Sequence, residues 1–246
     1  MLATVGAAVV LFVAFVLRSV RHPVPVVDFA LFRIRSFTVA GIGTFLFAIG
    51  FFSLLLGNVL FLTGVWHLSV VLAGAAATPG PIAAALCAPV AGRLADRFGQ
   101  RAIAIPGTVL FTLGALTLAV TTTAARNYVG VFLPAALLTG IGVGFTLPAF
   151  GSAGVAQLPP ARFATGIGVT SGLRQIGAVI GIAGLIAVLS GHRGGAAIDS
   201  FHRAWLLIAG IALLALLAGI ALGRIRPGPR PGATAAPARP VHPAHD

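Results

Sequence analysis

The chain has 246 residues, of which 58% are hydrophobic and 8% charged, with a mean hydropathy of +1.06. Soluble domains carry about 25% charged residues, so this composition excludes an ordinary soluble protein and indicates several membrane spans. The net charge of +12 comes from arginine, and because these arginines lie mostly at the ends of apolar segments, they indicate membrane topology and exclude nucleic-acid binding. Cys87 is the single cysteine, which excludes a disulfide and a cysteine-based metal cluster.

Seven apolar segments follow one another along the chain, and we expect an all-α membrane protein with seven transmembrane helices. The segments cover residues 2–17, 37–63, 68–90, 102–120, 128–150, 164–189 and 204–222. The first is shorter than the roughly 20 residues that a span needs. Its arginines follow the apolar core, whereas those of a signal peptide precede it. We therefore interpret 1–17 as a partial first helix whose outer end has been cut away; a start with the N-terminus outside is the alternative.

Two polar stretches flank the remaining segments. The linker 18–36 is basic and contains prolines, which discourage helix, although its later part at 27–37 is expected to form a short amphipathic turn at the membrane surface. The C-terminal stretch 224–246 is rich in arginine, proline, glycine and alanine. Such a composition cannot bury enough apolar surface to fold, so we expect a disordered tail.

The arginines are distributed unequally between the two sides of the predicted membrane. One side would carry Arg18, Arg21, Arg33, Arg35, Arg93, Arg97, Arg101, Arg162, Arg224, Arg226, Arg230 and Arg239, and the other only Arg126, Arg193 and Arg203. By the positive-inside rule, the first side and the C-terminus are cytoplasmic, and the N-terminus is outside. Trp66, Tyr128 and Trp205 fall at the outer ends of their segments, where aromatic anchors are expected.

A charged decapeptide lies between the third and fourth segments, at residues 92–101 with the sequence Gly-Arg-Leu-Ala-Asp-Arg-Phe-Gly-Gln-Arg. We expect a tight turn at the membrane surface. Gly92 would allow two helices to approach closely, Asp96 would accept backbone N–H bonds or lie at a helix N-terminus, and Gly99 would supply the turn. Arg93 and Arg97 would share a face if the preceding helix continues that far.

This decapeptide closely resembles the signature loop of the major facilitator superfamily of transporters. The residues that carry the likeness are Gly92, Leu94, Asp96, Arg97, Gly99 and Arg101, while Gln100 stands where the family usually has a basic residue. Further likeness to the fourteen-helix drug:proton antiporter branch comes from the linker with His22-Pro23-Val24-Pro25, from Thr78-Pro79-Gly80-Pro81 and from Thr170 to Gly177.

The resemblance implies that residues 37–223 form the six-helix C-terminal half of such a transporter, without its N-terminal half. It implies a proton-coupled exporter of small, hydrophobic or cationic drugs that works by alternating access in the cell membrane. The expected partners are the lipid bilayer, a drug-like substrate and the missing N-terminal half, with no nucleic acid and no cofactor beyond the proton gradient. A non-transporting membrane scaffold or partner-binding fragment is the alternative from another class, and an enzyme is not expected.

Arg174 is the most informative residue within an apolar segment. It lies about 15 Å along a helix that rises about 1.5 Å per residue, which places it near the middle of a roughly 30 Å core. An arginine there costs about 2.5–3.5 kcal/mol, so it should face protein or water. Small or polar residues at helical spacing share its face: Gly166, Thr170, Gly177, Gly181 and Gly184. Since no acid lies within a segment, a substrate or coupling role and a structural role both remain open.

The other candidates are polar groups and helix breaks within the segments. Gln175 and Asn58 join Arg174 and Thr170 as candidates for a substrate or coupling path, although buried amides also hold helices together. Pro79, Pro81 and Pro148 are candidate helix breaks that expose carbonyls or act as hinges. Three glycine pairs spaced four apart are expected to serve packing within one bundle: Gly140 with Gly144, Gly168 with Gly172, and Gly177 with Gly181. No metal site is expected.

Overall fold

The computed structural model describes residues 29–190 and 197–223. Six helices in these ranges are long and apolar enough to cross a membrane. They correspond to six of the seven predicted segments, and the described residues contain helices without a strand. The predicted first helix at 1–17, most of the linker 18–36 and the predicted tail 224–246 lie outside the described residues, so the count of seven stays untested for its first member.

The helices are numbered here in chain order. They are α1 (Arg35–Gly64), α2 (Val70–Ala77), α3 (Pro79–Phe98), α4 (Gln100–Thr121), α5 (Leu133–Val155), α6 (Phe163–Ser190) and α7 (Ala197–Ala221). α2 and α3 together form one span, Val70–Phe98, and a π-helical turn, Tyr128–Phe132, leads into α5. Short 3-10 helices at Phe29–Arg33 and Pro160–Arg162 precede α1 and α6. The first of these lies where the sequence predicts an amphipathic turn.

The span formed by α2 and α3 is divided at Thr78. Ser69 caps the start of α2 by accepting the N–H of Leu72, and α3 then begins with Pro79, whose missing N–H is tolerated at a helix start. The helix continues to Phe98, eight residues beyond the predicted end of the apolar segment at Val90. The length of the apolar segment therefore underestimates the length of this helix, because a helix can continue through arginines and an aspartate once it has left the apolar layer.

The structure agrees with some of the roles predicted for residues of the α3–α4 connection and contradicts others. Gly99 has φ +91° and is the only turn residue between the two helices, as predicted. Arg93 and Arg97 both lie on α3, which does continue that far. The role expected for Gly92 is wrong, because a side chain there would meet nothing within 4 Å; α3 packs mainly against α5 and only lightly against α4. Asp96 is exposed in the last turn of α3, so it does not cap a helix N-terminus.

Helix packing reveals an internal repeat of three spans. The spans α1, α2–α3 and α4 correspond to α5, α6 and α7: α1 packs on α6 and α7, just as α5 packs on α3 and α4. If the two sets of three spans are exchanged, the contact of α1 with α5 and the contact of α4 with α7 each remain the same contact. Each helix therefore contacts the next one in the series α3, α5, α4, α7, α1, α6, and α3 and α6 lie at its two ends. These two spans are accordingly the least buried.

The core is built from phenylalanine and alanine. Phe47 of α1 and Phe111 of α4 lie with ring centroids 4.8 Å apart at its centre. A cluster of rings lies at the end of the bundle opposite the α3–α4 connection: Phe61, Trp66, Phe132, Phe201 and Trp205. Trp66 and Trp205 are almost fully buried there, so they are core residues and not the lipid-facing anchors that the sequence predicts. Trp66 donates its indole N–H to the carbonyl of Thr123 at 3.1 Å.

Candidate functional site

Two clefts flank the contact between the central helices α1 and α5. We call the end of the bundle that carries the α3–α4 connection the inner end, following the orientation that the arginines predict. The inner cleft lies between α1, α5 and α6 and has a volume of about 360 Å³. Its lining consists of Thr44, Leu147, Gly151, Ser152, Val155, Ile167, Thr170, Ser171 and Arg174. Four hydroxyl-bearing residues and a guanidinium thus converge on one cavity.

Thr44 is the residue of the inner cleft that has a buried hydroxyl without a hydrogen bond among the described residues. It is 4% exposed, and its Oγ1 has no hydrogen-bond partner among the described residues. Two of the other hydroxyls are bonded, because Thr170 donates to the carbonyl of Gly166 at 2.9 Å and Ser152 to that of Ala149 at 3.2 Å. Ser171 also has no hydrogen bond among the described residues, but it is only half-buried. Most buried hydroxyls are hydrogen-bonded, so an unpaired one in a cavity wall is available to a ligand. Thr44 is not among the candidates that the sequence predicts.

Arg174 lies at the edge of the inner cleft and is exposed. Among the described residues it forms no hydrogen bond or ion pair, and no carboxylate belongs to the cleft lining. Thr170 lies one turn before it on α6 and lines the same cleft. Gln175 is exposed beside it but does not line the cleft. The cleft therefore offers a positive charge and hydroxyl groups without a negative partner from the described chain.

The glycines near Arg174 on α6 serve a different purpose from the arginine itself. A side chain at Gly177 or Gly181 would collide with the backbone of α1 at Phe45 and Ile49. These two glycines therefore let α6 lie directly against α1. The small and polar residues predicted to share one face with Arg174 are thus divided: Gly177 and Gly181 pack against α1, and Thr170 and Arg174 line the open cleft. Gly184 has open space around it.

The predicted packing role of the glycine pairs is confirmed for two of the three. In α5, a side chain at Gly140 would meet the backbone of Gly80, and one at Gly144 would meet that of Ala84, so this pair packs against α3. Gly177 and Gly181 lie at the equivalent contact, between α6 and α1, although there the glycines belong to the outer helix and not to the central one. Gly168 and Gly172 have nothing within 4 Å, so no packing contact in the described structure requires them.

The outer cleft lies between α1, α5 and the α2–α3 break, with a volume of about 210 Å³. It is lined by Phe51, Leu54, Leu55, Asn58, Ala77, Gly80, Pro81, Ala84, Thr139, Gly140 and Val143. Asn58 is 9% exposed, and its Oδ1 has no partner among the described residues. Thr139 donates to the carbonyl of Ala136 at 3.0 Å. Asn58 thus provides a free acceptor in a mainly apolar cavity, separate from the cleft of Arg174.

The candidate helix breaks occupy different places relative to these clefts. Pro79 and Pro81 lie in the first turn of α3, where the span is divided, and Pro81 lines the outer cleft. Pro148 lies inside α5, next to Leu147 of the inner cleft. Pro81 therefore borders the outer cleft, whereas α5 continues through Pro148 from Leu133 to Val155, so this proline does not interrupt its helix.

The family model and the relatives that match this chain agree on one family of proteins. A family model described as Major Facilitator Superfamily matches residues 40–245. Lincomycin resistance protein LmrB of Listeria innocua is 28% identical over 176 residues, which are 72% of this chain and 37% of that protein. Multidrug resistance protein B homolog of Mycobacterium tuberculosis is 30% identical over 73% of this chain and 33% of its own length. Multidrug resistance protein Stp of the same species is 31% identical over 76% and 34%. The chain spans about a third of the length of these relatives.

Proposed function

The chain belongs to the major facilitator superfamily, and we propose that it forms the C-terminal half of a proton-coupled drug exporter of the fourteen-helix branch. Its six apolar helices and its family make it a multi-pass membrane protein. The relatives named for multidrug and lincomycin resistance support export of small, hydrophobic or cationic drugs. The proposed location is the cell membrane, with the C-terminus in the cytoplasm, as the arginine distribution favours.

The inner cleft is the observation that carries this proposal. It combines Arg174 with an unpaired buried hydroxyl at Thr44, on the face where the two central helices meet α6. A guanidinium without a carboxylate would repel a cationic drug, so we propose that an acid from an N-terminal half pairs with Arg174. Competition between drug and proton for that acid would couple export to the proton gradient.

The exposed spans are where the N-terminal half would pack. α3 and α6 are the least buried spans and lie at the two extremes of the bundle. A second half that bridged both of them would cover the clefts on the central face, and rocking of the halves would open the inner and outer sides alternately. The second half is either the remainder of a longer chain or a separate protein.

Transport by reconstituted vesicles tests this function. The complete transporter, made by joining this chain to its cognate N-terminal half, is expected to export ethidium from vesicles that carry a proton gradient. Export should stop when an ionophore dissipates the gradient. Absence of export from a correctly folded complete transporter, across a panel of hydrophobic and cationic drugs, would instead favour a membrane scaffold.

A further inference from the structure

A small polar pocket lies at the inner end of the bundle, apart from both clefts. It has a volume of about 120 Å³ and lies between the start of α1, the α5–α6 connection and the end of α7. We call it the headgroup pocket; it is lined by Arg35, Ser36, Val39, Gln157, Ala221, Leu222 and Gly223. Its size suits one compact polar group. Since α1 and α7 both have the length and hydropathy of membrane spans, their ends lie at the level of lipid headgroups.

The start of α1 gives this pocket a positive potential. α1 has 30 residues, and its N-cap residue, Ile34, provides no capping side chain. The first N–H groups of a helix have no partner within the helix, and together with the helix dipole they favour an anion. Arg35 adds a guanidinium, and no carboxylate is present among the lining residues.

A second observation, besides the helix start, comes from the unpaired hydroxyl of Ser36. Its side chain is 7% exposed, and its Oγ has no hydrogen-bond partner among the described residues. Ser53 of the same helix shows the contrast, because its equally buried hydroxyl donates to the carbonyl of Ile49 at 2.7 Å. Ser36 is the second residue of α1, so the carbonyl four residues before it, that of Phe32, lies outside the helix and already accepts the hydroxyl of Thr38. An acceptor that enters the headgroup pocket would satisfy it.

We propose that the headgroup pocket binds the phosphate group of an anionic phospholipid of the surrounding bilayer. Ser36 donates its hydroxyl to a phosphate oxygen, Arg35 neutralises the charge, and the first N–H groups of α1 face the same anion. Val39, which is half-buried, borders the pocket on its apolar side, and the acyl chains would leave past it toward the membrane. The chain continues from Gly223 into Arg224 and Arg226, and basic residues beside a span attract anionic lipids.

Lipid retention by the purified full chain tests the assignment. The chain is exchanged into mixed micelles of detergent with phosphatidylglycerol, phosphatidylethanolamine or phosphatidylcholine, and bound lipid is counted by native mass spectrometry. Phosphatidylglycerol should be retained preferentially. Arg35→Gln should weaken its binding about fivefold, because the guanidinium that neutralises the phosphate in the pocket is lost. Ser36→Ala should weaken it by about tenfold or more through loss of a hydrogen bond to a charged group.

Matched variants separate this pocket from general charge and folding effects. Arg93→Gln removes an exposed arginine from the same end, and Ser53→Ala removes an equally buried hydroxyl from the same helix; both should leave phosphatidylglycerol retention unchanged. The proposal is overturned if Ser36→Ala and Arg35→Gln retain the lipid like the parent, or if phosphatidylcholine or phosphatidylethanolamine is retained equally. Displacement of the lipid by millimolar inorganic phosphate would overturn it too, because the pocket would then be a site for soluble anions.

Discussion

Replacing Arg174 by glutamine is the sharpest test of the inner cleft. The substitution keeps a polar side chain and removes the charge. In the described structure Arg174 is exposed and has no hydrogen-bond or ion-pair partner, so nothing within this half depends on it for folding. We therefore expect the free energy of unfolding to change by less than about 0.5 kcal/mol, as for other substitutions of exposed residues.

Transport should respond quite differently. If Arg174 pairs with an acid of the N-terminal half or with the substrate, its loss removes a hydrogen bond to a charged group, worth about 1.5–3 kcal/mol. At about 1.4 kcal/mol per factor of ten, export should slow by about 10- to 150-fold. The assay is ethidium efflux from vesicles that contain the complete transporter, normalised to the amount of folded protein measured by gel filtration in detergent.

Two further variants define what would refute this reasoning. Arg174→Lys keeps the charge and should retain more export than Arg174→Gln, and Arg126→Gln removes an exposed arginine from the opposite end without approaching the cleft. Export at the parent rate by Arg174→Gln would show that the arginine has no part in the substrate or coupling path. Loss of export in proportion to loss of folded protein would show that its role is structural.

Three other predictions concern topology, self-sufficiency and packing. Single cysteines, introduced after Cys87 is replaced by serine, should react with an impermeant reagent in sealed cells at 190–200 but not at 93–101; the reverse pattern would contradict the orientation. Vesicles with this chain alone should not export drug, because alternating access needs a second half; efflux without a detectable homodimer would refute this. Gly140→Ala should destabilise the bundle by about 1–3 kcal/mol through its collision with Gly80, whereas Gly172→Ala should not, and equal melting temperatures would refute the packing.

The fold was largely predictable because it depends on apolar length and on charges at helix ends. Six predicted segments correspond to the six spanning helices of the described residues, and Gly99 is the turn that the motif requires. The boundaries were less predictable, since hydropathy marks where an apolar segment ends and not where hydrogen bonding ends. α3 thus continues through Arg93 and Arg97. The burial of Trp66 was missed for a related reason: tryptophan suits both an interface and a core, and only the packing of its neighbours decides.

The site was predictable only where a residue is costly in itself. Arg174 was identified because a charge in an apolar segment is expensive, and Thr170 because it lies one turn away on the same face. Thr44 carries no such signal, because threonine is common in membrane helices and usually donates to its own helix. Its unpaired hydroxyl arises from how α1 meets α5 and α6, and the separation of Asn58 from Arg174 arises in the same way. Both are properties of tertiary packing.

The internal repeat makes the chemical difference between the two clefts informative. Exchange of the repeats converts the face formed by α1, α5 and α6 into the face formed by α5, α1 and α3, so the clefts are equivalent places in the packing. The inner cleft nevertheless holds a guanidinium and four hydroxyl-bearing residues, whereas the outer cleft has Asn58 and Thr139 among apolar side chains. Burying a polar group costs free energy unless it finds a partner. In the proposed export direction, polar parts of a drug therefore find their partners at loading, and the outer cleft, which offers few, favours release.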